Sequence, residues 1–509
     1  MVSCVSESAS EQDRWRSWWR QATQLAVTVS CFVSLLPQAA AQTTPSLCRA
    51  DLAPGIEAIT NRPEFRRARW GILVQTLEAT PQTLYSHDAD KFFIPASNVK
   101  LLTTAAVLNQ LGPEFRIRTS VYQIPSRDGT VRLRVVGQGD PSFSNTQLQV
   151  LAGQLRQRGI RQIDQLIADD QFFRGETFHP NWEWEDIQAG YGTAVNSLIL
   201  NQNAVGLTLV PQALGQPLQV QWEDPRTAAG WQVVNRSRTV ATTAAEYVQV
   251  GRDLSQPILY VDGQLRVGSA AEPVAVSIPQ PTQHFLERLQ QALAVEQIRV
   301  NQTRIASEPL PAAAQLITAI ESAPLAELLQ ETNQQSNNLY AEALLRILGR
   351  QSIDSSMLDP STPDTTPTLA AGISALENEL SWLGVDSSSY RLVDGSGLAR
   401  QNLLSPAALV ATLQAMAQSP YAAIYRHSLA VAGVRGTLRS RFQETPVQSR
   451  LEGKTGALSG IAALSGYLQP MDSSPLVFSI LINQVELPLA EIQSAIDAIV
   501  ELMTTLKAC

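Results

Sequence analysis

Lysine is almost missing from this chain. Of its 38 Lys and Arg residues only Lys91, Lys100, Lys454 and Lys507 are lysines, which leaves 34 arginines to supply surface positive charge. Arginine stays protonated in a protein, whereas burial turns a lysine toward a base. A lysine inside a motif of this chain is therefore a candidate for chemistry rather than solvation. Other scarcities exclude whole classes. A net charge of −8 offers no basic face for a nucleic acid partner. Histidine occurs four times, as His87, His179, His284 and His427, scattered and without a His-Glu-x-x-His, which excludes a zinc carboxypeptidase. The reading calls for no metal and no other cofactor. Gly-x-Ser-x-Gly is absent, so Ser396 in Asp394-Gly395-Ser396-Gly397 is a loop residue and not the nucleophile elbow of an α/β-hydrolase. The only long apolar run, about Leu25 to Leu36, is too short to span a bilayer comfortably.

What is present begins with that run. Arg14, Arg16 and Arg20 precede it and Ala39-Ala40-Ala41 follow it, the layout of an export signal over residues 1–41, cleaved after Ala41. The expected location is the periplasm or cell envelope. Cleavage removes Cys4 and Cys31 and leaves Cys48 and Cys509, which are either bridged or two free thiols. At 509 residues the length prior is about three domains, and 44% hydrophobic against 17% charged residues allows a full core.

Taken in order, residues 70–76 and 82–86 read as two strands joined by a turn at Ala79-Thr80-Pro81. Arg116–Tyr122 and Thr130–Val136 alternate about Arg127-Asp128-Gly129 as a hairpin. A helix over 146–158 and a strand over 162–169 follow. Between Asn203 and Pro279 the pattern turns to short strands broken by Pro, Gly and Asp, an all-β stretch. Helical spacing returns at 283–294, 325–330, 339–348 and 369–383, with a Ser/Thr/Pro/Asp-rich surface loop at 351–368. Strands at 448–453, 461–468 and 476–483 and an amphipathic helix at 487–506 close the chain.

The chemistry centres on Pro95-Ala96-Ser97-Asn98-Val99-Lys100, which opens an apolar helix. Three residues apart, Ser97 and Lys100 share a face after one turn. A buried, neutral amine beside a hydroxyl makes a base and a nucleophile. Alone, the pair also reads as a capping Ser with a solvated Lys. Two further motifs complement it. Ser336-Asn337-Asn338 lies on a loop between helices, where Ser336 relays a proton to a leaving amine and Asn338 holds Lys100 and a substrate amide. Lys454-Thr455-Gly456 ends a strand, offering a point charge for a carboxylate where the backbone approaches closely. Its positive charge also favours a neutral Lys100.

This set, in this order, resembles the penicillin-recognising serine enzymes, and specifically the S13 peptidase family of class C low-molecular-mass penicillin-binding proteins. Supporting segments are Gly137-Gln138-Gly139-Asp140-Pro141, Trp182-Glu183-Trp184-Glu185-Asp186, Tyr191-Gly192, Leu200-Asn201-Gln202-Asn203, Asn337-Asn338-Leu339-Tyr340-Ala341-Glu342 and Asp394-Gly395-Ser396-Gly397-Leu398. The resemblance implies a mixed α/β (α+β) multidomain fold. Its β-lactamase/transpeptidase-like catalytic domain, an antiparallel sheet flanked by helices, would take residues 43–115 and 322–509. An inserted α/β domain would take 116–202 and 280–321, and a second, all-β insert 203–279. It further implies D-alanyl-D-alanine carboxypeptidase and endopeptidase action on peptidoglycan stem peptides, with β-lactams as acylating inhibitors. Ser97 becomes the acylated nucleophile, Lys100 its base, Ser336 and Asn338 the second motif, and Lys454 with Thr455 and Gly456 the carboxylate grip. The N–H groups of Ser97 and Ala457 form the oxyanion hole. Asp186, Tyr191 and Arg400 stand where members that cut diaminopimelate peptides bind that side chain; the alternative for these three is structural pairing. Ser459 stands where some members have a substrate-contacting Gln. A β-lactamase or esterase on the same fold, or a non-catalytic wall-binding protein, are the rival functions. Peripheral membrane association and homodimerisation are left open.

Overall fold

The computed structural model describes residues 47–127, 129–356 and 366–507. The export segment, Cys4, Cys31, Cys509, Asp128 at the hairpin turn and residues 357–365 of the surface loop lie outside it, together with the expectations placed on them.

The site is carried by a six-stranded antiparallel sheet. Its strands are β1 (Arg69–Thr76), β2 (Thr83–His87), β3 (Ala430–Val431), β4 (Leu451–Leu458), β5 (Ile461–Leu468) and β6 (Leu476–Asn483), in the order β3-β4-β5-β6-β1-β2. Both β5 and β6 are buried along their whole length, which is why their sequence runs apolar without alternation. Helices cover both faces: α1 (Arg49–Thr60), α2 (Val99–Leu111), α3 (Leu325–Gln334), α4 (Asn338–Ser356), α5 (Thr368–Trp382), α6 (Pro406–Gln418) and α7 (Leu489–Thr504). Leu52 and Ile56 of α1 pack with Ile496 and Val500 of α7 against Leu464 and Ile480 of the sheet. On the other face, Leu102 of α2 and Leu409 and Leu413 of α6 share a core with Ala463 and Leu481.

Helix α2 is buried from Val99 to Leu108, Lys100, Thr103 and Thr104 included. Each buried Leu in it contributes about 1.5–3 kcal/mol, which offsets part of the cost of taking an amine and two hydroxyls out of water.

A second sheet has five strands, Arg299–Ile305, Gln162–Asp169, Arg132–Gly137, Arg118–Ile124 and Gln315–Glu321 in that order. Two helices, Asn145–Gln157 and Pro281–Val295, close its core through Leu151, Leu155, Phe285 and Leu289. The stretch 204–277 folds into a three-stranded and a four-stranded sheet around Leu207, Leu209, Leu259 and Val261. Its description as all-β needs one correction, because Asp224 caps a short helical turn at Pro225–Ala228.

Several elements were not anticipated. Arg299–Ile305 and Arg238–Val240 are short and polar, and Pro406–Gln418 is so evenly apolar that no helical stripe stands out. The helix expected to end at 348 continues to Ser356, into residues read as loop. Parallel pairing of Leu47–Cys48 with Leu506–Lys507 joins the two ends of the described chain. Cys48 is disulfide-bonded, and Lys507 opposite it is two positions from Cys509. Among the described residues no helix is long and apolar enough to cross a membrane.

Candidate active site

The chain enters α2 through a strained turn. Ala96, buried, holds φ +48° and opens a turn of 3-10 helix, Ala96–Asn98, that leads into Val99. Non-glycine residues in this region cost about 1–3 kcal/mol and persist only where packing over-determines them. Here β4 supplies the packing: a Cβ on Gly456 would stand 2.8 Å from the Pro95 carbonyl. Ser97 is half-buried, and Lys100, one turn on, is wholly buried.

Three groups meet the Lys100 amine: Ser97 Oγ at 2.9 Å, Asn338 Oδ1 at 2.6 Å and the Ser396 carbonyl at 2.7 Å. Asn338 is oriented by its other end, since its Nδ2 donates to the Tyr191 carbonyl at 3.0 Å. A neutral amine has two N–H donors and one lone pair. Asn338 Oδ1 and Ser396 O only accept, so they take both N–H groups and leave the lone pair for the Ser97 hydroxyl proton. Burial lowers the pKa of Lys100 to about 7, and the negative charges of Asp394 and Glu342 act against that fall. Desolvation is thus the main cause, as expected from the sequence, while the further help expected from the Lys454 charge is not among the influences on Lys100.

The other motifs arrive from opposite walls. Ser336 sits between α3 and α4 with φ +59°, a second left-handed non-glycine residue at the site. Lys454 donates to Ser336 Oγ at 2.8 Å and to the Thr455 carbonyl at 2.8 Å, and Thr455 is hydrogen-bonded to Thr437 at 2.8 Å. Lys454 does not end its strand. It lies inside β4, wholly buried, and its pKa is pushed well down by burial and by the charge of Lys100. The short β3 pairs only with Glu452 and Gly453, so no described strand lies beside β4 at Lys454–Leu458 on that side. Ala457 is exposed there.

One contributor escaped the sequence reading. Loop 394–398, for which the sequence suggested a turn and a family segment but no contact with the base, delivers the Ser396 carbonyl to Lys100. Two buried carboxylates fix the loop. Glu342 on α4 accepts from the Gly395 and Ser396 amides at 2.8 and 2.9 Å, and Asp394 accepts from Gly397 and Ala399 at 2.7 Å each and from Trp182 Nε1 at 3.0 Å. Gly397 has φ +80°, and a Cβ there would lie 1.9 Å from the Ala96 carbonyl. The one advance signal was the glycine spacing of Asp-Gly-Ser-Gly.

Asp186, Tyr191 and Arg400 gather at the rim. Tyr191, exposed, donates to Asp186 Oδ1 at 3.1 Å, while its main chain meets Asn338. Burial raises the Asp186 pKa, as does the charge of Glu183. Arg400 is paired with Glu183 at 2.8 Å and reaches the Ser459 carbonyl at 3.2 Å. Glu183 therefore joins a group from which the sequence reading had omitted it.

Hydrogen bonds thus gather Ser97, Lys100 and Asn338 into one cluster and Ser336, Lys454 and Thr455 into a second, close enough for the charge of Lys100 to act on Lys454. The pattern of the D-Ala-D-Ala carboxypeptidase 3 (S13) family matches residues 52–506. The chain belongs to this family. S13 membership makes it a serine-type carboxypeptidase. A D-alanyl-D-alanine carboxypeptidase of Actinomadura sp. (strain R39) is 31% identical over 476 residues, 89% of this chain and 85% of that one. A penicillin-sensitive carboxypeptidase A of Dictyostelium discoideum is 28% identical over 472 residues, 86% and 87% of the two chains. The fold is shared with penicillin binding protein 4 (dacB) of Haemophilus influenzae, whose crystal structure matches with a TM-score of 0.74 at 20% identity over 88% of this chain and 98% of that one.

Proposed function

We propose that this S13 protein hydrolyses D-Ala-D-Ala peptide bonds of peptidoglycan stem peptides, as carboxypeptidase and endopeptidase, through an acyl-enzyme on Ser97 that penicillin also forms. The observation that carries the reading is the buried Lys100 amine 2.9 Å from Ser97 Oγ and held by two groups that can only accept, Asn338 Oδ1 and the Ser396 carbonyl. In the first step Ser97 Oγ bonds to the carbonyl carbon and its proton passes to Lys100. The C–N bond then breaks as the proton held on Lys100 passes by way of Ser336 to the leaving amine, which returns Lys100 to its neutral form. Water releases the acyl group with Lys100 again as base. The terminal carboxylate of the leaving residue, or that of penicillin, lies against Lys454, and an opposite charge there draws that lysine's pKa back up. The Ser97 and Ala457 amides receive the oxyanion, and the open edge of β4 accommodates an extended peptide. Export by residues 1–41 to the periplasm or envelope is part of the proposal, since the substrate lies there.

Labelled penicillin tests it. A stable adduct on Ser97, absent in Ser97→Ala of unchanged melting temperature, is expected. Rapid turnover of the label would make the chain a β-lactamase or esterase, and no labelling a wall-binding protein. Products from purified peptidoglycan then apportion carboxypeptidase and endopeptidase action.

A further inference from the structure

Glu342 and Arg346 form a wholly buried ion pair on successive turns of α4, with Arg346 Nη1 donating to Glu342 Oε2 at 2.8 Å. Isolated in a core, such a pair recovers little beyond its desolvation cost. Its placement is informative. While Oε2 faces Arg346, Oε1 accepts from two consecutive amides, Gly395 and Ser396, and the carbonyl of that same Ser396 accepts from Lys100. The next contact, Thr103 Oγ1 to the Gly395 carbonyl at 2.8 Å, ties the loop to α2 one turn beyond Lys100. A backbone segment held on both sides fixes where the Lys100 lone pair points.

We propose that Glu342, itself anchored by Arg346, is the positioning residue for the general base: it suspends the Ser396 carbonyl over Lys100 and places a negative charge behind the amine as it takes the Ser97 proton. This rests on the serine peptidase reading of the cleft. The charges acting on Lys100 are Glu342 from α4 and Asp394 from the loop; Lys454 from β4 lies within reach of the Lys100 charge, Arg346 acts on Glu342, and His179 acts on both carboxylates. Of these, Asp394 and Glu342 raise the Lys100 pKa toward its value of about 7, and without them burial would carry it lower. Glu342 stays ionised because Arg346, foremost among its neighbours, holds its pKa below the usual carboxylate value despite burial.

The test is the second-order rate of acylation by labelled penicillin as a function of pH, in the full chain. Glu342→Gln keeps an oxygen for both amides and removes the charge. Because the lost charge favoured the protonated amine, the acid limb moves to lower pH, by about one unit, and the plateau rate falls about tenfold. Glu342→Gln leaves Arg346 uncompensated and risks unfolding, so Glu342→Gln/Arg346→Met, which buries no net charge, is measured alongside. The same downward shift is expected in it. A limb that overlays the wild type in the folded double variant overturns the inference, reducing Glu342 to a structural support. Failure of the wild type itself to be acylated would instead defeat the peptidase reading, so the two failures are distinguishable.

Discussion

The two walls of the cleft each bury a lysine, and they treat it differently. On the helical wall, Lys100 has two carboxylates behind it, Asp394 and Glu342, and a pKa held near neutrality at about 7. On the strand wall, Lys454 meets only a hydroxyl and a carbonyl among the described residues, with no acid acting on it, and its neighbour's charge adds to the downward push of burial. The proposed mechanism gives the same side chain two tasks: Lys100, with counter-charges built in, exchanges a proton without needing a ligand, and Lys454, lacking them, takes its counter-charge from the carboxylate that enters.

The largest test of that contrast removes the base. Lys100→Met is expected to slow acylation about 10²- to 10⁴-fold and to abolish its acid limb, read by stopped-flow with labelled penicillin. Stability carries a second signature. Folded Lys100 binds fewer protons than unfolded Lys100 between pH about 7 and 10.5, so wild-type stability relative to Lys100→Met rises with pH across that window. Denaturant midpoints at several pH values check the sign.

Lys454→Met comes next. Loss of a charge-assisted contact should cost about 10- to 100-fold in kcat/KM on a D-Ala-D-Ala peptide. An ester substrate without the terminal carboxylate should hardly notice the change. Equal losses on both substrates would erase the distinction between the walls.

In the unaltered protein, acylation should rise with pH through a limb near about 7, because the reactive form of Lys100 is the neutral one. A limb near 10 in the rate profile would mean that the helical wall does not tune its amine.

Smaller effects probe the backbone that brings the walls together. Gly397→Ala forces a Cβ to within 1.9 Å of the Ala96 carbonyl at φ +80° and should destabilise by about 1–3 kcal/mol or more, seen by denaturant titration. Ala96→Gly relieves the φ +48° strain but loosens the unfolded chain, for a net gain below about 1 kcal/mol with slower acylation.

How much of this was legible in the sequence follows the same division. Ser97 and Lys100 were readable because one helical turn relates them, and strands 461–468 and 476–483 because a sheet covered on both faces writes unbroken apolar runs. Lys454 was misplaced at a strand end, since lysine flanked by glycines reads as a terminus when nothing local reveals that a cleft wall buries it. The Ser396 carbonyl was invisible for a different reason. A backbone oxygen carries no residue-type signature, and its bond to Lys100 joins positions 100 and 396. Glu342 was quoted within a supporting segment without a role, because the amides it serves lie more than 50 positions away.

The surroundings of Lys100 come from α2, α4 and the loop 394–398, which meet only in the finished fold. A nascent or denatured chain carries an ordinary, protonated lysine at that position, and its serine is inert. On the proposed acyl-enzyme mechanism, covalent capture by a β-lactam would double as a conformational probe: each labelled molecule would have completed its tertiary structure, and the labelled fraction would count native protein directly in a mixture.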